Sequence, residues 1–291
     1  MQQKVTFKSA RTDISGVLEL PTNYVAGQRR PAIIVMHGFG SNKDAANVTI
    51  PAAMYREWGY VTLRFDRRGC GESGGEPGLN LSPEHVEDTQ NAISWLTLQP
   101  QVMADRIALS GTSFGGAIAV YAAGVDPRVA AVISAGGWGN GERKLRGQHP
   151  TPEGWAKFVR MLEEGRKHGR PDGKPMMVHR YDIVPIPPRL RSGLPASAIM
   201  EFPVETAQSI FDFRPDDVVG NIAPRPILFL HAAPDSVTPT DESLELFRRA
   251  KPPAELHLFS GVDHFMLAEG NPRVTETLRG WLAAYFPSMT K

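Results

Sequence analysis

Five residues constrain this chain more than any others: Gly111-Thr112-Ser113-Phe114-Gly115. The apolar run Arg106-Ile107-Ala108-Leu109 before them reads as a buried strand. Ala117 through Ala123 after them reads as an alanine-rich helix with Gly124 as its C-cap. A serine between two such elements, flanked by glycines, matches the G-x-S-x-G pattern of a nucleophile held on a sharp strand-to-helix turn. Such a turn needs a backbone angle that side chains disfavour, and the neighbouring glycines let strand and helix approach. The helix then points free N–H groups and its positive dipole end at the serine. The structural alternative is a glycine-rich turn whose serine only caps the helix.

Several further strands surround this one. Lys4 to Leu20 alternates about a polar turn and predicts a hairpin or a pair of edge strands. Pro31-Ala32-Ile33-Ile34-Val35-Met36 is continuously apolar, as expected for a parallel strand buried on both faces. It ends in His37-Gly38-Phe39-Gly40, a loop type that supplies the second donor of an oxyanion hole. The two donors would be the backbone N–H groups of Phe39 and Phe114, with His37 packing the loop from below. Val61-Thr62-Leu63-Arg64-Phe65 is a further strand, and Val129 to Ile133 another. Gly69 to Gly74 formally matches G-x-G-x-x-G, but Gly75, Pro77 and Gly78 stand where a helix would have to open on a pyrophosphate, so no nicotinamide cofactor is expected. Asp66 and Arg67 are expected to anchor their loop by hydrogen bonds, and Cys70 has no local base to activate it. Ser82-Pro83-Glu84 reads as a helix start, with Ser82 as the cap.

The strand–helix rhythm stops at Trp138 and resumes at Pro226-Ile227-Leu228-Phe229-Leu230-His231. A structureless loop of that length is improbable in a compact domain, so residues 138–225 predict a largely helical lid or cap inserted after the sixth strand. Residues 1–137 and 226–291 then form the core. Trp155 to Leu162 and Val204 to Ile210 have helical spacing, and Trp138 and Phe211 are candidate substrate contacts. The basic excess in Glu142 to Arg191 reads as a solvated face. A net charge of +1 gives no reason to expect nucleic acid or an anionic membrane as partner. No run approaches a membrane span or a signal-peptide core, and the single cysteine excludes an internal disulfide framework. A cytoplasmic, reducing setting is the default expectation. His37, His231, His257 and His264 show no paired ligand spacing, so neither a metal nor a cofactor is expected.

Loops after three strands carry Ser113, Asp235 and His264, in the order nucleophile, acid, base. The carboxyl ends of parallel strands lie along one edge, where distant residues converge. A serine needs an imidazole to take its proton, and the imidazole needs a carboxylate to fix its tautomer and steady its charge. Asp263 competes for the acid role, but it adjoins His264 in sequence and would have to reach round to that ring's Nδ1. Asp212, Asp216 and Asp217 are reserve candidates.

With these residues in view, residues 4–135 and 226–286 resemble the α/β-hydrolase superfamily of serine hydrolases. The matching segments are the Gly111 to Gly115 elbow, the His37 to Gly40 loop, Asp66-Arg67-Arg68-Gly69-Cys70-Gly71-Glu72-Ser73 against D-x-R-G-x-G-x-S, and the positions of Asp235 and His264. The amino-terminal hairpin and Val262-Asp263-His264-Phe265 look most like the dienelactone-hydrolase and prolyl-peptidase-like group, with serine where dienelactone hydrolases carry cysteine and no preceding propeller. The resemblance implies an α/β fold with a mostly parallel sheet flanked by helices. It also implies a carboxylic ester hydrolase working on a small molecule through an acyl-enzyme. Cleavage of a small amide by the same triad, and a catalytically silent binding protein on the same scaffold, are the alternatives.

Overall fold

The computed structural model describes residues 2–288. The amino-terminal hairpin is β1 (Gln2–Ser9) and β2 (Thr12–Glu19), followed by β3 (Arg30–Met36), α1 (Ala46–Glu57) and β4 (Val61–Phe65). Then come α2 (Ser82–Thr97), β5 (Val102–Thr112), α3 (Phe114–Val125) and β6 (Val129–Ala135). Residues 138–225 carry α4 (Gly141–Gln148), α5 (Pro152–His168), β7 (Met177–His179), α6 (Arg180–Ile183), β8 (Glu201–Pro203) and α7 (Val204–Asp212). The chain closes with β9 (Ile227–Ala232), α8 (Asp241–Arg249), β10 (Ala254–Phe259) and α9 (Pro272–Tyr285).

Eight strands form one sheet in the order β1-β2-β4-β3-β5-β6-β9-β10. β1 pairs antiparallel with β2, and β2 antiparallel with β4; every pairing from β4 to β10 is parallel. The unbroken apolar run of β3 is explained by its place, since all seven residues are buried. Strand periodicity divides them: Ala32, Ile34 and Met36 face one hydrophobic cluster, and Ile33 and Val35 the other. α2 and α3 cover the first face, while α1 and α9 cover the second through Tyr55, Leu278 and Trp281.

Leu145, Phe158, Phe202, Val204 and Ile210 from residues 138–225 join the cluster on the α2 and α3 face. α5 and α7 cover the two segments with helical spacing, and an antiparallel β7–β8 ribbon is added between them. Two local expectations are corrected. Ser82 is the first helical residue of α2 rather than its cap; its N–H donates to Ser209 Oγ and its hydroxyl to the Ser209 carbonyl, tying α2 to α7. Gly124 lies inside α3 rather than beyond its end, where a Cβ would stand 2.6 Å from the Val218 carbonyl oxygen.

The tightest packing lies where β5 turns into α3. A Cβ on Gly115 would stand 2.6 Å from both the Met36 and His37 carbonyl oxygens at the end of β3. One on Gly111 would run into the Gly115 carbonyl. Gly115→Ala is therefore expected to destabilise the fold by about 2 kcal/mol or more, since backbone cannot give way as a side-chain tip can. Gly280→Ala on α9, where a Cβ meets nothing within 4 Å, should stabilise by about 0.5–1 kcal/mol through helix propensity. Parallel denaturant titrations check both signs.

Candidate active site

Ser113 stands between β5 and α3 with φ 57° and ψ −121°, a conformation costly for any residue with a side chain. Its N–H donates to the Ala135 carbonyl at 2.8 Å, and its own carbonyl accepts from Ala117 N–H at 3.1 Å in the first turn of α3. The turn is thus pinned on both sides, to β6 and to its own helix, and the serine side chain faces a narrow cavity. Gly38, Phe39, Ser41, Asn47 and His264 share that cavity with it, along with an apolar wall that includes Val184, Ile186, Leu194 and Val237.

His264, 3% exposed, lies in the loop after β10. Its Nδ1 sits 2.8 Å from Asp235 Oδ2 and 3.1 Å from Oδ1, leaving Nε2 for a proton transfer. Asp235, in the loop after β9, is held by far more than this histidine. Its Oδ1 accepts from the backbone N–H groups of Val237 at 2.7 Å and Thr238 at 2.8 Å. His231 Nε2 lies 3.3 Å from Asp235 Oδ2 and 3.1 Å from the Thr238 carbonyl. Both neighbours accept, so Nε2 carries the proton and Nδ1 is left to accept from Ser243 Oγ at 2.6 Å. Burial alone would push the Asp235 carboxyl up. The facing His264, together with hydrogen bonds from His231 and His264, outweighs burial and holds it well below the usual carboxylate range.

Asp263 is spent elsewhere. It accepts from Ser236 N–H and from the His264 backbone N–H, both at 2.8 Å, and pairs with Arg189 at 2.9 Å. It therefore clamps the acid loop to the base loop, while the imidazole of His264 turns to Asp235. Among the reserve acids, Asp216 pairs with Arg143 at 3.0 Å. Cys70 is buried, with its thiol pushed up to about 12 by burial.

The two expected oxyanion donors flank the serine. Among the described residues neither Phe39 N–H nor Phe114 N–H donates to another protein group, and Phe114 is the first residue of α3, where no intrahelical acceptor exists. Their rings meet edge to face at 6.3 Å. A residue missed from sequence holds this loop from above. Arg180 of α6, 2% exposed, donates to the Phe39 carbonyl at 2.6 Å, the Ile199 carbonyl at 2.9 Å and the Gly40 carbonyl at 3.3 Å. Phe202 stacks on Phe39 with centroids 4.4 Å apart. Nothing in the spacing of residues 138–225 marks Arg180 out, because its partners are backbone oxygens, two of them at least 140 positions away.

The two expected substrate contacts take other places. Trp138, 1% exposed, stacks on the outer side of Phe114 at 5.9 Å and meets Phe213 edge to face. Phe211 packs with Trp155 and Phe158. Neither ring is among the walls of the cavity that Ser113 and His264 share. These large apolar side chains do most by burying residues 138–225 against α3.

Comparison with known proteins gives the family and the fold. A family model described as X-Pro dipeptidyl-peptidase (S15 family) matches residues 17–262. The chain belongs to that family. A polyketide transferase from a Penicillium species is 32% identical over 253 residues, covering 83% of each chain. A thiohydrolase from Aspergillus aculeatus is 28% identical over 269 residues, covering 85% of this chain and 83% of its own. Among solved structures, the α/β hydrolase GrgF from Penicillium superposes with a TM-score of 0.81 at 26% identity, covering 99% of both chains. A hypothetical protein from Pseudomonas aeruginosa superposes with a TM-score of 0.82 at 25% identity, covering 98% of this chain and 94% of its own. The fold is that of an α/β hydrolase, and the family is one of hydrolases. Among the described residues no helix is long and apolar enough to cross a membrane.

The two neighbouring aspartates are separable by experiment. Asp235→Asn should lower kcat by about 10⁴, because the amide no longer fixes the imidazole tautomer. Asp263→Asn should keep most of the activity, because the group it loses ties loops and faces no ring nitrogen. Steady-state kinetics on one activated ester compare the two.

Proposed function

We propose that this protein cleaves a carboxylic ester, oxygen or sulfur, through an acyl-enzyme on Ser113. One observation carries the reading: a serine on a positive-φ turn shares a cavity with an imidazole bound to Asp235. His264 Nε2 takes the Ser113 proton as Oγ attacks the carbonyl carbon. The imidazolium so formed is steadied by Asp235, whose depressed pKa keeps it ionised throughout. The N–H groups of Phe39 and Phe114 receive the oxyanion, a role worth about 3–4 kcal/mol of barrier per donor. Collapse expels the alcohol or thiol, which takes the proton from His264. Water, activated by the same imidazole, then releases the acid.

The substrate would be a small molecule. The cavity leaves about 30 Å³ for the centre of a water-sized sphere, room for one or two waters. A more open groove of about 510 Å³ shares Ile186 and Val237 with it as walls. We assign the reacting carbonyl to the inner cavity and the remainder of the substrate to the groove, with residues 138–225 acting as the cap. The thiohydrolase and polyketide transferase named among the relatives favour an acyl thioester, and the family's name favours a second reading, cleavage of an amide.

A matched set carrying one acyl group as oxygen ester, thioester and anilide decides among them. The expected result is kcat/KM for both esters far above that for the anilide, and loss of all turnover in Ser113→Ala. Comparable values for the anilide would favour the amidase, and undiminished ester turnover in Ser113→Ala would remove the serine from the chemistry.

A further inference from the structure

One buried cation near the site has no part in the chemistry described so far. Arg67 occupies the variable second position of Asp66-Arg67-Arg68-Gly69 and is 1% exposed. Its carboxylate neighbours are taken: Asp66 pairs with Lys43 at 2.7 Å and Asp88 with Arg68 at 2.6 Å. Among the described residues Arg67 makes no ion pair, and its Nε and Nη1 have no partner. Burial lowers its pKa to about 10, which still leaves it cationic at neutral pH. An unpaired buried cation is costly to fold around, so what it faces matters.

Arg67 faces the underside of the oxyanion loop. Nη2 donates to the His37 carbonyl at 2.5 Å and the Gly38 carbonyl at 3.0 Å. The Arg67 backbone N–H donates to His37 Nε2 at 3.3 Å, and His37 Nδ1 lies 2.8 Å from the Gly38 carbonyl and 3.0 Å from Arg67 Nη2. Burial and the Arg67 charge keep His37 neutral. The Gly38 carbonyl therefore accepts a hydrogen bond from a buried cation. It belongs to the same peptide group as the Phe39 N–H. Electron density drawn toward that oxygen leaves the amide nitrogen more positive, so the N–H on the far side becomes a stronger donor. The guanidinium also lies 5.1 Å from the centroid of the Phe114 ring, placing its charge close to the second donor's residue as well.

We propose that Arg67 is a positioning residue for the oxyanion: through the Gly38–Phe39 peptide it orients and polarises the donor, setting a fixed positive charge behind the oxygen that becomes negative during attack. The inference rests on the acyl-enzyme reading above. Because that charge exists in the transition state and not in the bound substrate, Arg67 acts on kcat and leaves KM alone.

Arg67→Met keeps the length and removes the charge, and with it the cost of burying a cation that makes no ion pair. The expected result is a melting temperature at or above the parent's and kcat on an activated ester reduced tenfold or more. KM should stay within threefold, and inactivation by a p-nitrophenyl alkylphosphonate should slow by a factor similar to that for kcat. Arg67→Lys, which keeps the charge, should recover part of the loss. A folded Arg67→Met protein with the parent's kcat and inactivation rate overturns the proposal, as does one in which only KM changes. Should the methionine variant not fold, Arg67→Gln is read on the same terms. If the parent is not phosphonylated on Ser113 at all, the acyl-enzyme reading has failed. If it is, and the variants react equally fast, only the role of Arg67 has failed.

Discussion

The structure depends on one close approach, where the turn carrying Ser113 is pressed against the end of β3. Gly115 comes so near the Met36 and His37 carbonyls that a methyl group would not fit. The same proximity places the loop beginning at His37 beside the turn that carries Ser113. The positive φ of Ser113 is maintained because β6 holds its N–H and α3 holds its carbonyl. Strain of this kind persists only where surrounding contacts outnumber the ways to relieve it.

Around that contact the site is a set of loops held by different kinds of bond. Two backbone amides and two imidazoles hold Asp235, so the carboxylate has little freedom to turn from His264. Asp263 and Arg189 fasten the acid loop to the base loop. The oxyanion loop is gripped by arginines from both sides, Arg67 below and Arg180 above, each donating to backbone carbonyls. Arg180 comes from the segment that packs over the α2 and α3 face. The region shaping the cavity wall and the loop of residues 37–40 are thereby mechanically joined. Displacing α6 would cost the loop two hydrogen bonds.

Much of this is legible in the sequence, for physical reasons. Strands buried on both faces announce themselves by apolar runs, as in β3, β6 and β9, whereas β4 is buried throughout with Thr62 and Arg64 in it. The elbow is legible because few residue types tolerate its backbone. Asp235 and His264 are legible because the carboxyl ends of parallel strands share an edge. What escapes is whatever depends on backbone acceptors or on packing across the insertion. Arg180 and His231 bind carbonyls and a carboxylate that no spacing rule connects to them. Trp138 and Phe211 were expected beside the substrate because large aromatics in an insertion suggest a pocket, yet the same rings serve to bury that insertion. Ser82 resembles a cap by type and position, but the hydroxyl goes to Ser209 because α7 lies across the helix start.

A crystal structure of the phosphonate adduct tests the central claim most directly. The account predicts phosphorus on Ser113 Oγ, with the phosphoryl oxygen within about 3 Å of the Phe39 and Phe114 nitrogens and His264 still bound to Asp235 through Nδ1. An adduct on any other residue, or a phosphoryl oxygen turned away from both amides, would contradict it.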